Sequence, residues 1–165
     1  MNKTRALTNI LLAVDGSSYA QAATLLLDEL IGASPCTITI VAVLDTPHTP
    51  RRELLLDAIQ RPQATLQKPG RDIICGLLHG NPAATICDYT KDHSPELIVL
   101  GAKGRRATLS ILLGGVAQQV IEYTQQPVLI ARPPFQGLKK IMVTTDGSIY
   151  SKRAVEFVGC TPFKT

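Results

Sequence analysis

Four glycines and a group of cations mark the most chemically suggestive stretch of this chain, residues 97–117, LIVLGAKGRRATLSILLGGVA. An apolar run ends at Gly101, a loop follows through Gly104, and the pair Gly114-Gly115 opens a helix-like segment. Glycine lets backbone N–H groups approach an oxyanion where a Cβ would clash. A helix N-terminus adds the positive end of a dipole, worth about 0.3–1 kcal/mol to an anion and up to ~2 in a sheltered site. Lys103, Arg105 and Arg106 can add charge-assisted contacts. The chemistry implied is an anion cradle. It is neither a Walker A loop, which ends in GK[ST], nor a GxGxxG dinucleotide fingerprint. From residue types alone, the same glycines also serve as plain loop turns and a helix start.

A second candidate is Asp15, which ends the apolar run NILLAV and precedes Gly16-Ser17. It can accept hydrogen bonds from a ligand, and it is equally a common turn former. Other chemistries find no support. His48, His79 and His93 are scattered, and the four cysteines (Cys36, Cys75, Cys87, Cys160) show no CxxC spacing, so no metal site is expected. Ser17 and Ser18 lack a GxSxG setting and read as helix caps. The third apolar run leads into Leu78-His79-Gly80, where a phosphorelay receiver needs an acceptor Asp. DGSSYA is not the SGGxDS of the PP-loop pyrophosphatases. With no general base or nucleophile beside the glycine loop, a binding protein is expected rather than an enzyme, with slow ATP hydrolysis at most a side property.

Composition narrows the partners. A net charge of +4 with only 4% aromatic residues does not make the basic, aromatic-interleaved stripe of a nucleic-acid binder. No apolar run reaches the ~18–20 residues that span a bilayer. Met1–Arg5 lead straight into the first strand, so no leader is expected, and the isolated cysteines suit a reducing, cytoplasmic setting.

These residues need a scaffold, and the periodicity supplies one. Apolar strand-like runs fall at 9–15, 37–44, 72–77, 97–100 and 127–132. Helices are expected over 19–31 (closed by Gly32), 51–61 (ended by Pro62), 83–92 (after the Asn81-Pro82 cap) and 114–123. Strands alternating with helices predict an α/β fold, a doubly wound five-stranded parallel sheet with helices on both faces. Ligands of such sheets sit at the carboxyl ends of the strands, which points to Asp15-Gly16, Val43–Asp45, Leu78–Gly80 and Gly101 onward. Residues 1–134 complete one domain, punctuated by Pro133-Pro134. NILLAVDGSSYA at 9–20 then returns as KIMVTTDGSIYS at 140–151, which reads as tandem duplication. Residues 135–165 are therefore expected to hold a linker and the first strand and helix of an incomplete second copy.

Gly101-x2-Gly104-x9-Gly114, with ELIVLG before it, LLGGVAQQVIEYTQQPVLIAR after it and NILLAVDGS at the start, resembles the universal stress protein family. Nucleotide-binding members carry G-x2-G-x9-G-[ST]. The resemblance covers residues 7–132 and implies a Rossmann-like fold of the adenine nucleotide alpha hydrolase type. It also implies a regulatory ligand in stress response: ATP, with AMP and ADP as alternatives, with or without Mg. By position, Asp15 matches the residue that meets the adenine or ribose, and Val43 the backbone contact to adenine. Gly101, Gly104 and Gly114 match the ribose and phosphate cradle, with Lys103, Arg105 and Gly115 beside it. Gly115 departs from the pattern. Where the family has Ser or Thr, a hydroxyl donor to phosphate is lost, worth ~1.5–3 kcal/mol or roughly ten- to hundredfold in affinity. The resemblance further implies pairing through the last strand, 127–132, in a homodimer or between tandem domains. The alternative is a dimeric adaptor of the same fold that has lost its nucleotide.

Overall fold

The computed structural model describes residues 7–45, 49–105 and 112–161. Five strands, β1 (Asn9–Ala13), β2 (Cys36–Leu44), β3 (Arg71–His79), β4 (Leu97–Gly101) and β5 (Val128–Ala131), form one sheet in the order β3-β2-β1-β4-β5. Every pairing is parallel. Between the strands run α1 (Ser18–Ile31), α2 (Thr49–Leu66), α3 (Pro82–His93) and α4 (Gly115–Tyr123), and α5 (Ile149–Cys160) follows the sheet. The doubly wound α/β sheet read from the sequence is the one found.

Two-residue alternation divides the strands between two cores. Ile10, Leu12, Ile38, Ile40 and Val99 face α1 and α2, where Leu27, Leu55, Ile59 and Leu66 cover them. Leu11, Val41, Ile98 and Leu100 face α3 and α4, against Ile86, Cys87, Ala117 and Val120. Both faces of the central strands are thus apolar, which is why β1 and β4 read as unbroken hydrophobic runs. The chain reverses winding direction between β1 and β4. Their register (Ala13 opposite Leu100) brings Asp15 and the loop after Gly101 to the same edge of the sheet.

The opposite edge is clamped by a buried arginine. Arg71 Nη1 donates to Asp28 Oδ1 (2.7 Å) and to the Leu66 carbonyl (3.1 Å), and Nη2 donates to the Gly32 carbonyl. One guanidinium thereby satisfies carbonyls at the C-terminal ends of both α1 and α2, which have no intrahelical partner. Its Nε is buried without a partner. Lys68 Nζ donates to both oxygens of Asp28, at 2.6 and 2.7 Å. Burial raises the Asp28 pKa, the largest single effect, but the hydrogen bonds and charges of Lys68 and Arg71 together outweigh it and hold the carboxyl below its ordinary value.

Several boundaries differ from the sequence reading. Pro62 does not end α2; the helix runs on to Leu66. An interior proline costs about 3 kcal/mol. Burial of Leu55, Ile59 and Leu66 along the same face, about 1.5–3 kcal/mol each, outweighs it. β3 is longer than expected, and β1 stops at Ala13, although Val14 N–H still donates to the Val41 carbonyl at 2.8 Å.

The tail forms its expected helix, α5, but 138–146 forms no strand. In β1 two parallel neighbours bury Ile10, Leu11 and Leu12 completely. Their counterparts Ile141, Met142 and Val143 are 44%, 86% and 42% exposed. The turn is nevertheless repeated in geometry. Ser17 N–H donates to Asp15 Oδ1 (3.0 Å) and Ser148 N–H to Asp146 Oδ1 (2.9 Å). Gly16 and Gly147 share positive φ, 78° and 80°, and Ser17 and Ser148 both cap the following helix. The tail is held to the sheet domain by Phe135 and Phe157, which pack on the α1–α2 core, and by Leu138 N–H donating to Glu29 Oε1 at 2.8 Å.

Candidate functional site

A cavity of about 780 Å³ opens at the carboxyl edge of the sheet, within the size range of small-molecule sites. All eight residues selected from the sequence line it: Asp15, Val43, Gly101, Lys103, Gly104, Arg105, Gly114 and Gly115. The fold brings them from four segments of chain to the point where strand order reverses, the usual ligand position in an open α/β sheet.

One part of the wall is apolar. Ala13, Val41, Val43 and Leu100 come from adjacent strand ends, and Ile86 and Ala117 from the helices above them. The polar part is the loop after β4 and the start of α4. Gly114 is the N-cap of α4, and no side chain hydrogen-bonds there. Ser17, Asn81 and Ser148, in contrast, each accept a hydrogen bond from a first-turn amide of α1, α3 and α5 respectively. The first amides of a helix have no intrahelical acceptor. At α4 they border the cavity, since Gly115, Val116 and Ala117 all line it.

The glycines owe their bareness mainly to the protein itself. A Cβ on Gly101 would stand 2.6 Å from Tyr19 Cβ and 3.0 Å from Ala20 N, so this glycine is required where β4 meets the start of α1. On Gly104 it would meet Asp15 Oδ2 at 2.9 Å, and on Gly114 the Ala102 carbonyl oxygen at 3.3 Å. A Cβ on Gly115 meets nothing within 4 Å. These three glycines let the loop fold against β1, α1 and itself, which is the loop-turn role that the residue types also allow.

Asp15 is likewise engaged within the chain. Its Oδ1 accepts from Ser17 N–H at 3.0 Å and its Oδ2 from Arg105 N–H at 2.9 Å. The loop is pinned again where Gly114 N–H donates to the Ala102 carbonyl at 2.8 Å. Lys103 is only 8% exposed, and its Nζ lies 5.9 Å from the centre of the Tyr19 ring. Arg106 lies outside the described residues.

The sequence reading missed the far wall. Asp45 and Arg51 form an ion pair, and both line the cavity together with Leu54 and Leu55 of α2. Asp45 follows the end of β2, a strand end where ligands of such sheets sit, but nothing in the spacing shows that α2 turns Arg51 back toward it. Pro82 and Ile86 belong in sequence to a helix and its start, and in the fold they also line the cavity. The histidines stay apart: His79 ends β3 outside the cavity lining, His93 stacks on Tyr89 with ring centres 3.8 Å apart, and His48 lies outside the described residues. Among the described residues no His/Cys/Asp/Glu cluster could hold a metal, no helix is long and apolar enough to cross a membrane, and all four cysteines are free.

A profile described as "Universal stress protein family" matches residues 7–132. The universal stress protein Slr1230 of Synechocystis is 30% identical over 129 residues, covering 76% of this chain and 43% of that protein. The universal stress protein MJ0531 of Methanocaldococcus jannaschii is 32% identical over 78 residues, covering 47% of this chain and 46% of that protein. The chain thus spans less than half the length of these two relatives. Among solved structures, universal stress protein UspA from Lactobacillus plantarum superposes with TM-score 0.64 at 29% identity, over 78% of this chain and 99% of that one. The universal stress protein from Archaeoglobus fulgidus in complex with dAMP gives TM-score 0.60 at 20% identity, covering 78% and 100%. An Arabidopsis thaliana family protein with AMP bound gives 0.58 at 16%, covering 75% and 90%.

Proposed function

We propose that this chain, which belongs to the universal stress protein family, binds an adenine nucleotide as a regulatory ligand in the cavity over β1 and β4. One observation carries the reading. Eight residues, singled out partly by glycine spacing and charge and partly by resemblance to the family, line a single cavity, apolar on one side and edged on the other by the uncapped start of α4. The apolar strand ends suit a purine. Val43, near the end of β2 and in the cavity lining, would offer backbone to its edge. The loop 101–105 and the amides of Gly115 and Val116 suit phosphate. Solved relatives with AMP and dAMP bound support the same ligand class. ATP is the proposed physiological ligand, and any Mg²⁺ would arrive on its phosphates.

We propose binding without turnover. The carboxylates at the cavity, Asp15 and Asp45, are each engaged, Asp15 by two backbone amides and Asp45 by Arg51. Binding that changes a partner's affinity, in a cytoplasmic stress response, is the role that fits. Pairing is proposed through the edge of β5, which among the described residues has β4 as its one strand neighbour and leaves Val128, Leu129 and Ile130 half-buried. The partner is a second chain or, given the repeat at 140–151, a second domain of the same fold.

Titration calorimetry with ATP, ADP, AMP and adenosine, with and without magnesium, tests the nucleotide reading. Heat of binding and a higher Tm with ATP are expected. Their absence for every nucleotide would leave the ligand-free adaptor, which the hydroxyl-free Gly115 favours. Mass spectrometry of small molecules released from freshly purified protein would then identify any other occupant.

A further inference from the structure

We infer that Asp15 is a positioning residue, a latch that closes the phosphate loop onto the end of β1; the inference rests on the nucleotide reading above. Both carboxylate oxygens are occupied by backbone donors. Oδ1 holds its own turn through Ser17 N–H, and Oδ2 reaches 90 positions along the chain to Arg105 N–H at 2.9 Å. The second bond draws the loop that leaves β4 over the strand beside it. The neighbouring residues are fitted to this bond. A Cβ on Gly104 would stand 2.9 Å from Asp15 Oδ2, so a larger residue there would push the carboxylate away from the next amide. Gly114 N–H to the Ala102 carbonyl, at 2.8 Å, fixes the other end of the same loop.

The second copy of the turn shows which half of this arrangement is local. Asp146 makes the equivalent bond to Ser148 N–H at 2.9 Å, so the turn forms at both Asp-Gly-Ser sequences of this chain. The bond to Arg105 is the added one, and it joins two elements of the cavity. Asp15 therefore acts on phosphate through the shape of the loop. Gly104 is bare for the sake of the latch before it is bare for a ligand.

Two variants test this. In ligand-free Asp15→Ala, the Arg105 amide should exchange its hydrogen about tenfold faster or more than in the unaltered protein, because its acceptor is gone. ATP affinity should fall about ten- to hundredfold, and clearly more than adenosine affinity, since a bond to a charged group is lost only where the loop meets phosphate. Gly104→Ala should weaken ATP about tenfold in the unaltered background and much less beside Asp15→Ala, because its Cβ then has no carboxylate to displace. Equal losses for ATP and adenosine would make Asp15 a reader of base or ribose and overturn the latch. So would an unchanged Arg105 exchange rate, or strictly additive costs of the two substitutions. If the unaltered protein binds neither adenosine nor ATP, the nucleotide reading falls, while the exchange rate still decides the latch.

Discussion

Replacing Gly115 by serine should strengthen ATP binding. Gly115 is exposed at the first turn of α4, beside the uncapped amides, and a Cβ there meets nothing within 4 Å. The side chain therefore enters open space without disturbing Gly114, which is packed against Ala102 and Lys103. A hydroxyl donating to a phosphate oxygen contributes about 1.5–3 kcal/mol when sheltered. At this solvent-facing position the lower end applies, so about a tenfold gain in affinity is expected. Stability should hardly change, because serine suits a helix start at least as well as glycine. Calorimetry of the two proteins with ATP, and with adenosine as the phosphate-free comparison, reads the effect. An ATP affinity unchanged or lowered, or an equal gain for adenosine, would refute the placement of phosphate at α4.

Other outcomes follow from the same geometry. The carboxyl of Asp28 titrates below its ordinary value of 3.8, so its contribution to stability is complete above that pH and is lost as pH falls through the lower folded value. Urea midpoints measured between about pH 5 and pH 3 should fall more steeply in the unaltered protein than in Asp28→Asn, and equal slopes would contradict the clamp. Arg71→Met should cost about 2–4 kcal/mol in urea unfolding, because it uncaps two helices and strips Asp28 of a partner. Hydrogen bonding from the Ser148 side chain and then its backbone N–H lowers Asp146 to about 2. An NMR titration giving an ordinary 3.8 would mean the turn in the tail is not formed. Glu29→Ala should speed tryptic cleavage at Lys139 and Lys140 by releasing Leu138, and unchanged protection would show that Phe135 and Phe157 suffice.

Much of this architecture was legible because its signals are local. Unbroken apolar runs such as Asn9–Ala13 announce strands buried on both faces, and Asn81-Pro82 announces a helix start that the structure places within one residue. Part of the cavity lining was legible for the same reason: the glycine loop is a short-range pattern, Val43 came from the family resemblance, and parallel topology collects both at one edge. What escaped depends on distance in three dimensions. Pro62 reads as a terminator until the burial of α2 is known. The tail strand reads as a strand because the letters repeat β1, but a strand needs neighbours, and none of the described strands pairs with 138–146. The glycines read as a bare cradle, and no spacing rule says that Tyr19, Asp15 and the Ala102 carbonyl fill the space beside them. Gly114→Leu is consequently a poor probe of the ligand, since its side chain would first strike the loop.

One cavity must hold one class of ligand, and amide chemical shifts recorded as ATP is added test that most directly. The predicted result is a saturable set of shifts confined to Asp15, Val43, residues 101–105 and residues 114–117, the segments that meet at the cavity. Shifts that leave these amides untouched, or that cluster on another face of the sheet, would contradict it.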